Sequence, residues 1–219
     1  MKRSIALFGL CLPVLLAIQP ATKPATKPAA DHAAVVAYRA YVDVIRAGDI
    51  DKATALVEPV PADCAAALAA SLRSAIAVEA VKSEMIKRMG PAKLEEEGWN
   101  MGQLPDEILN ALHAGVEEGD AMLLMAKDPQ DPNGNGYAAA AMVKRGGVWR
   151  VSASQPFGLE PTTPFVAPSK EDLDNTIKMA GWVTTGAGVV LKRLKAGEFE
   201  EPEAVQSAVL EEMQKAAGQ

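Results

Sequence analysis

Cysteine is almost missing from this chain, which holds only Cys11 and Cys64. Once an N-terminal segment carrying Cys11 is removed, Cys64 stands alone and no intramolecular disulfide can form. Histidine is equally scarce, with His32 and His113. A basic surplus is lacking too. The formal net charge is -6, and the chain has no basic stripe to track phosphates. That disfavours nucleic acid as a partner and electrostatic docking on anionic lipid. The nucleotide and acyl-transfer signatures G-x-x-x-x-G-K-[ST], G-x-G-x-x-G opening a helix, and G-x-S-x-G do not occur. Two uncharged stretches invite a test as membrane spans. Ile5 to Ile18 is too short, and so is the uncharged stretch Met179 to Leu191.

The first of those runs has another reading. Lys2 and Arg3 precede it, and small residues Ala17 and Ala21 flank a plausible cleavage point. This is the pattern of a secretory signal over residues 1–20. Its loss removes two basic groups and no acid, leaving 20 basic against 28 acidic groups, or -8. Cys11 is preceded by Phe8, Gly9 and Leu10. The bulky Leu10 stands where a lipidation box needs a small residue, so Cys11 is read as part of the signal. Residues 21–30 continue as a Pro/Thr/Lys linker around PATKPATKP, a solvated and extended tether. The protein is therefore expected in the periplasm or cell envelope.

The strongest local signal is GYAAAAMVKRGGVWRVSAS, from Gly136 to Ser154. Gly146-Gly147 suits a two-residue hairpin turn with positive φ angles. That turn sets Arg145 opposite Val148, Lys144 opposite Trp149, Met142 opposite Val151, and Ala140 opposite Ala153. One face then carries Ala138, Ala140, Met142, Trp149, Val151 and Ala153 and needs a cover. Val143, Arg145, Arg150 and Ser152 lie on the other face, which can meet water. Ala121 to Lys127 reads as a third strand, apolar enough to be buried on both faces.

Around this sheet the chain reads helical. A first helix runs from Asp31, its N-cap, to Ala47, with Ala34, Tyr38, Tyr41, Val42 and Ile45 on one face, and Gly48 ends it. Asp49 to Val57 is a short second helix. Ala62 to Met89 is a third, with Leu68, Leu72, Ala75, Val78, Val81, Met85 and Met89 as its stripe, stopped by Gly90-Pro91. Asp106 to Leu112 is one more short helix. After a proline-rich connection over 157–168, Ser169 and Asp172 resemble a capping box. The helix they open reaches Lys195, with Leu173, Ile177, Ala180, Thr184, Ala187, Leu191 and Leu194 on one face. Gly181, Gly186 and Gly188 mark a kink or close packing. Pro202 opens a last helix with Val205, Val209, Met213 and Ala216 on one side. The short link from Gly197 to Glu201 favours an antiparallel helical hairpin over residues 169–219. Lying on the sheet domain, or forming the seam of a homodimer, are the other ways to cover that stripe.

Two patterns carry a resemblance. Ala47-Gly48-Asp49 runs into Ala-x-x-Leu-Val at Ala53, Leu56 and Val57. Later, Met142, Val143, Lys144, Gly147, Trp149 and Val151 fit Met-Val-Lys-x-x-Gly-x-Trp-x-Val. Together they resemble exported bacterial members of the nuclear transport factor 2-like superfamily. The likeness covers Asp31 to Ser154, within a domain expected over 31–156. It implies an α+β fold, with helices packed on a small curved antiparallel sheet in a cone-like shape, sometimes enclosing a pocket. Two departures stand out: three clear strands where the family has four or more, and the long C-terminal helix.

Candidate chemistry is thin. His113 stands near Glu117, Glu118 and Asp120, which would allow a histidine–carboxylate acid–base pair. A ligand pocket could form on the hairpin face at Ala138, Ala140, Met142, Trp149 and Val151, where small residues leave room and methionine adapts. Asp131, Asn133, Asn135 and Gly136 open like a calcium loop, but the twelfth position is Met142 where a bidentate glutamate is needed. No metal and no cofactor is expected. His32, beside the linker, reads as solvated, and Cys64 as a small apolar residue of an alanine-rich helix. The expectation is a non-catalytic binding or interaction protein, with an unknown protein or a small apolar ligand as partner. The competing expectation is a small-molecule enzyme with an acid–base site under the sheet.

Overall fold

The computed structural model describes residues 32–96, 101–104, 106–127, 136–159 and 165–218. The signal, the linker, Asp31 and the calcium-like loop lie outside these residues. The fold is α+β. Helices α1 (Ala33–Ala47), α2 (Ile50–Leu56), α3 (Ala65–Met89), α4 (Pro91–Glu96) and α5 (Asp106–Ala111) precede strands β1 (His113–Glu118), β2 (Ala121–Lys127), β3 (Gly136–Arg145) and β4 (Val148–Val151). Helices α6 (Lys170–Lys195) and α7 (Pro202–Ala216) follow.

Local chemistry sets most boundaries. Asp49 caps α2 by accepting the Lys52 N–H at 3.1 Å, and Ser169 caps α6 by accepting the Asp172 N–H at 3.2 Å. Pro91 does more than stop α3. It opens α4, where a residue without an N–H costs nothing.

The sheet is antiparallel in the order β1-β2-β3-β4. The expected hairpin register holds: Met142 pairs with Val151, Val143 with Arg150, Lys144 with Trp149, and Arg145 with Val148. Gly146 and Gly147 take φ values of 58° and 82°, which an L side chain would resist. The ladder frays after Val151, so Ala140 and Ala153 are not a strand pair. One more bond, from the Ser152 N–H to the Ala141 carbonyl at 2.9 Å, closes that end. On the far edge of β4, Val57 forms a parallel bridge with Val151.

Three expectations for the sheet are corrected. A fourth strand, β1, pairs with β2. Burial along β2 alternates, with Met122, Leu124 and Ala126 buried and Leu123 and Met125 only half-buried, so it is covered fully on one face. A bulge breaks the period on β3. Leu124 pairs with Ala140 but Met125 with Ala138, which leaves Ala139 as the extra residue. Below the bulge the faces exchange. Tyr137 and Ala139 pack on the core, and Ala138 turns to the other side with Met125.

Two apolar cores share one helix. The main core joins α1 (Tyr38, Tyr41, Val42, Ile45), the start of α3 (Leu68, Leu72) and the inner sheet face (Leu124, Met142, Trp149, Val151). A second core joins the end of α3 (Val81, Met85) to α6 (Ala187, Val190, Leu194) and α7 (Val205, Ala208, Val209). A small cluster of Cys64, Ala67 and Leu173, with Phe157 and Phe165 stacked at 5.7 Å, closes one end. The C-terminal hairpin therefore forms as expected, but α6 also lies along α3. Its buried stripe is rotated from the expected one, with Val183 and Val190 inside and Ile177 38% exposed. On α7, Ala216 is exposed rather than on the packed side. Among the described residues, the 28-residue stretch Ala62–Met89 is long and apolar enough to cross a membrane by length and composition. Here it is the wall between the two cores.

Candidate functional site

Four of the five expected pocket residues, Ala140, Met142, Trp149 and Val151, do face the interior together. They pack against Tyr38, Tyr41, Val42 and Ile45 of α1. Ala138 is not among them, because the bulge turns it away. Methionine and tryptophan fill the centre of this face, so the small alanines serve close packing with neighbouring elements.

The structure does not gather the acid–base candidates. His113 begins β1, Glu117 lies four residues further along the same strand, and Asp120 sits in the turn beyond. A register shift after Ala114 sets His113 opposite Met125 and Glu117 opposite Met122, so the two are offset by three residues of β2, roughly 10 Å. His113 Nδ1 approaches the Ala111 carbonyl at 3.4 Å. The Asp120 carbonyl accepts the Lys144 N–H at 2.6 Å, and its carboxylate side is exposed.

Other polar groups do converge. Glu58 is 2% exposed and reaches across the outer side of the hairpin. Its Oε1 accepts from Ser152 Oγ at 3.2 Å and the Ala153 N–H at 3.0 Å, and its Oε2 accepts from Arg145 at 3.0 Å. This brace corrects the expectation that the outer face meets water: Val143 and Ser152 are both buried. Next to it, the Gln155 side chain accepts the Ala141 N–H at 3.2 Å and donates to the Tyr38 hydroxyl at 3.3 Å. Burial pushes the Tyr38 hydroxyl up to about 12, against the weaker opposing pull of Gln155. The Ser154 hydroxyl is buried with no hydrogen-bond partner among the described residues.

A second cluster ties α1 and α3 to residues 101–104. Glu79 accepts from Arg46 Nε at 3.3 Å and from the Gln103 N–H at 2.9 Å, while Lys82 Nζ donates to the Gln103 carbonyl at 2.6 Å. Arg46 also donates to the Leu104 carbonyl at 3.3 Å. Both clusters satisfy charge inside the fold.

A third constellation surrounds Trp149. The Lys144 Nζ lies 5.6 Å from its ring centroid, and the His32 ring meets it edge-on at 5.9 Å. His32 is not simply solvated. Its Nδ1 accepts the Ala34 N–H at 3.2 Å and caps α1 in the role expected of Asp31. Cys64 is buried, and its surroundings, burial foremost and then Asp63, push the thiol up, away from the reactive thiolate. Among the described residues no group of three or more His, Cys, Asp or Glu side chains could hold a metal ion.

Sequence reasoning missed Glu58, Glu79 and Gln155 as organising residues. Glu58 alone left a trace, as a charged residue between Val57 and Pro59 in an apolar stretch. Comparison with protein-family models, with curated proteins and with solved structures gives no match.

Proposed function

We propose that this is an exported protein of the bacterial cell envelope that works by binding a partner rather than by catalysis. The observation that carries the reading is the filled inner face of the sheet. Met142, Trp149 and Val151 are buried against Tyr38, Val42 and Ile45, where a pocket enzyme would need open space and converging polar groups. Separation of His113 from Glu117 along β1 supports the same reading. The N-terminal charge and apolar run support export. A nuclear transport factor 2-like origin fits an amphipathic α1 and a short α2 packed with α3 on a small antiparallel sheet, and α6 and α7 are the addition that would supply an interaction surface.

Two measurements test this. Expression with the native N-terminus, then fractionation and N-terminal sequencing, should give a mature product lacking at least residues 1–17. Intact Met1 on a cytoplasmic product ends the export reading. Thermal melts with small apolar ligands should show no saturable shift. A saturable rise with a matching change in Trp149 fluorescence would favour the alternative, a small-molecule site under the sheet. That alternative draws on Tyr38, Gln155 and the unpartnered Ser154 hydroxyl.

A further inference from the structure

We infer that the outward face of α6 is the seam of a homodimer in which two copies of this helix lie antiparallel. The inference rests on the reading of α6 and α7 as an interaction surface and names a second copy as the partner. One side of α6 is buried against α3, and Gly186 faces α7. The remaining side carries Asp174, Lys178, Gly181, Thr185, Gly188 and Lys192, in alternate steps of four and three residues. That spacing lays them along one straight line, the pattern of helices that pair along their length. Gly188 is half-buried and the others are exposed, and a Cβ added at Gly181 or Gly188 would meet nothing within 4 Å. No charged residue lies between Lys178 and Lys192. A solvated helix face ordinarily carries charge, and the centre of an interface is where charge is depleted.

Charge decides the orientation and the occupant. The first turn of α6 is acidic, with Glu171 and Asp172, and its last turn is basic, with Lys192, Arg193 and Lys195. A parallel mate would set like charges together. An antiparallel mate sets the acidic end of each copy on the basic end of the other and opposes the two helix dipoles. In this register Gly181 lies beside Thr185 of the second copy, Asp174 beside its Lys192, and the stem of Lys178 over its Gly188. Two-fold symmetry repeats each pair, so one face serves both copies. The glycines let the two backbones approach closely. Apolar side chains flank the line, with half-buried Trp182 and Val189 on one side. Half-buried Leu191 and Ile177, which is 38% exposed, lie on the other. In an antiparallel pair each flank meets the same flank of its mate. Trp182 then packs with Val189 across the seam, and Ile177 with Leu191, which removes apolar surface from water. A single helix pair is a small interface, so the dimer is a weak one.

The test is sedimentation equilibrium of the full mature chain between about 1 μM and 1 mM, the range in which small interfaces dissociate. A monomer–dimer equilibrium is expected. Thr185→Lys sets an ammonium at the centre of the seam and should raise the dissociation constant by about ten-fold or more. Its melting temperature in dilute solution should not fall, because Thr185 is exposed in the single chain. Asp174→Lys and Lys192→Asp should each raise the constant by about five-fold, the scale of two exposed ion pairs. The double variant restores both pairs with their signs exchanged, and should return to within about two-fold of the unaltered chain. A chain that stays monomeric up to about 1 mM overturns the inference. So does a dimer indifferent to Thr185→Lys, or a loss in the single charge variants that the double variant fails to restore. These measurements read mass alone, so they fail separately from the fractionation and ligand melts that decide export and ligand binding.

Discussion

At the residue scale, burial decides what each side chain is worth. Trp149 is buried on the inner face, whereas Arg150, its neighbour, points outward and donates to the Ala55 carbonyl. Trp149→Ala should cost about 3–5 kcal/mol, as a large-to-small core change. Arg150→Ala should cost about 1 kcal/mol or less, the scale of one exposed hydrogen bond. Urea unfolding distinguishes them, and equal losses would contradict the register. Glu58 gives a sharper case. Glu58→Ala leaves Ser152 and the Ala153 N–H buried without an acceptor and Arg145 without its partner. Breaking a fully buried pair costs about 3–5 kcal/mol, and the lower end applies because the Arg145 side chain is 33% exposed. Glu58→Gln keeps the shape and one acceptor oxygen, so it should lose clearly less in the same measurement.

At the scale of elements, helix spans were legible, while the α1 cap, the α6 stripe and the irregular parts of the sheet were not. Ser169 and Lys195 bracket α6 because capping chemistry is local. The Gly146-Gly147 turn fixed the β3-β4 register for the same reason. β1 escaped notice because HAGVEE has neither β-branched density nor clean alternation, and its strand state comes from pairing with β2. Ala138 was assigned to the wrong face because a bulge leaves no mark in a run of four alanines. The polar braces were illegible because Glu58 and Arg145 lie 87 residues apart in sequence. The glycines of α6 divide in a way that predicts opposite outcomes. A Cβ on Gly186 would come within 2.9 Å of the Met213 backbone nitrogen and 3.1 Å of the Val209 carbonyl, so Gly186→Ala must push α7 away and destabilise. A Cβ on Gly181 meets nothing within 4 Å, so Gly181→Ala should add about 0.5–1 kcal/mol through helix propensity. Thermal melting of the two variants should move in opposite directions.

At the scale of the whole molecule, the pH profile follows from which groups are buried and which are paired. Asp49, Glu84 and Glu211 are all held below the usual carboxylate range, in each case first by a hydrogen bond from a neighbouring cation: Lys52, Arg88 and Lys215. A lowered folded value means stability present above the ordinary carboxylate range and lost as pH falls through the lowered one. Glu211 is exposed and Asp49 only partly covered, so their share of that acid loss should be shallow and weaker still in high salt. The alkaline side differs. Tyr38 is raised from 10.0 to about 12, so its contribution is complete below the first value and lost as pH rises through the second. Tyr38→Phe should flatten the alkaline decline of the urea midpoint, and an unchanged slope would count against the buried hydroxyl. Truncation at Pro168 should also be costly, since it strips the cover from Val81 and Met85 and leaves no separable unit behind. Because α3 is a wall common to both cores, its two sides are completed at different moments of synthesis. The stripe of Val81 and Met85 emerges from the ribosome about a hundred residues before Ala187 and Val190 arrive to cover it. At about 5–20 residues per second, the nascent chain carries an open apolar seam for roughly 5–20 s, long enough to need a chaperone's shelter.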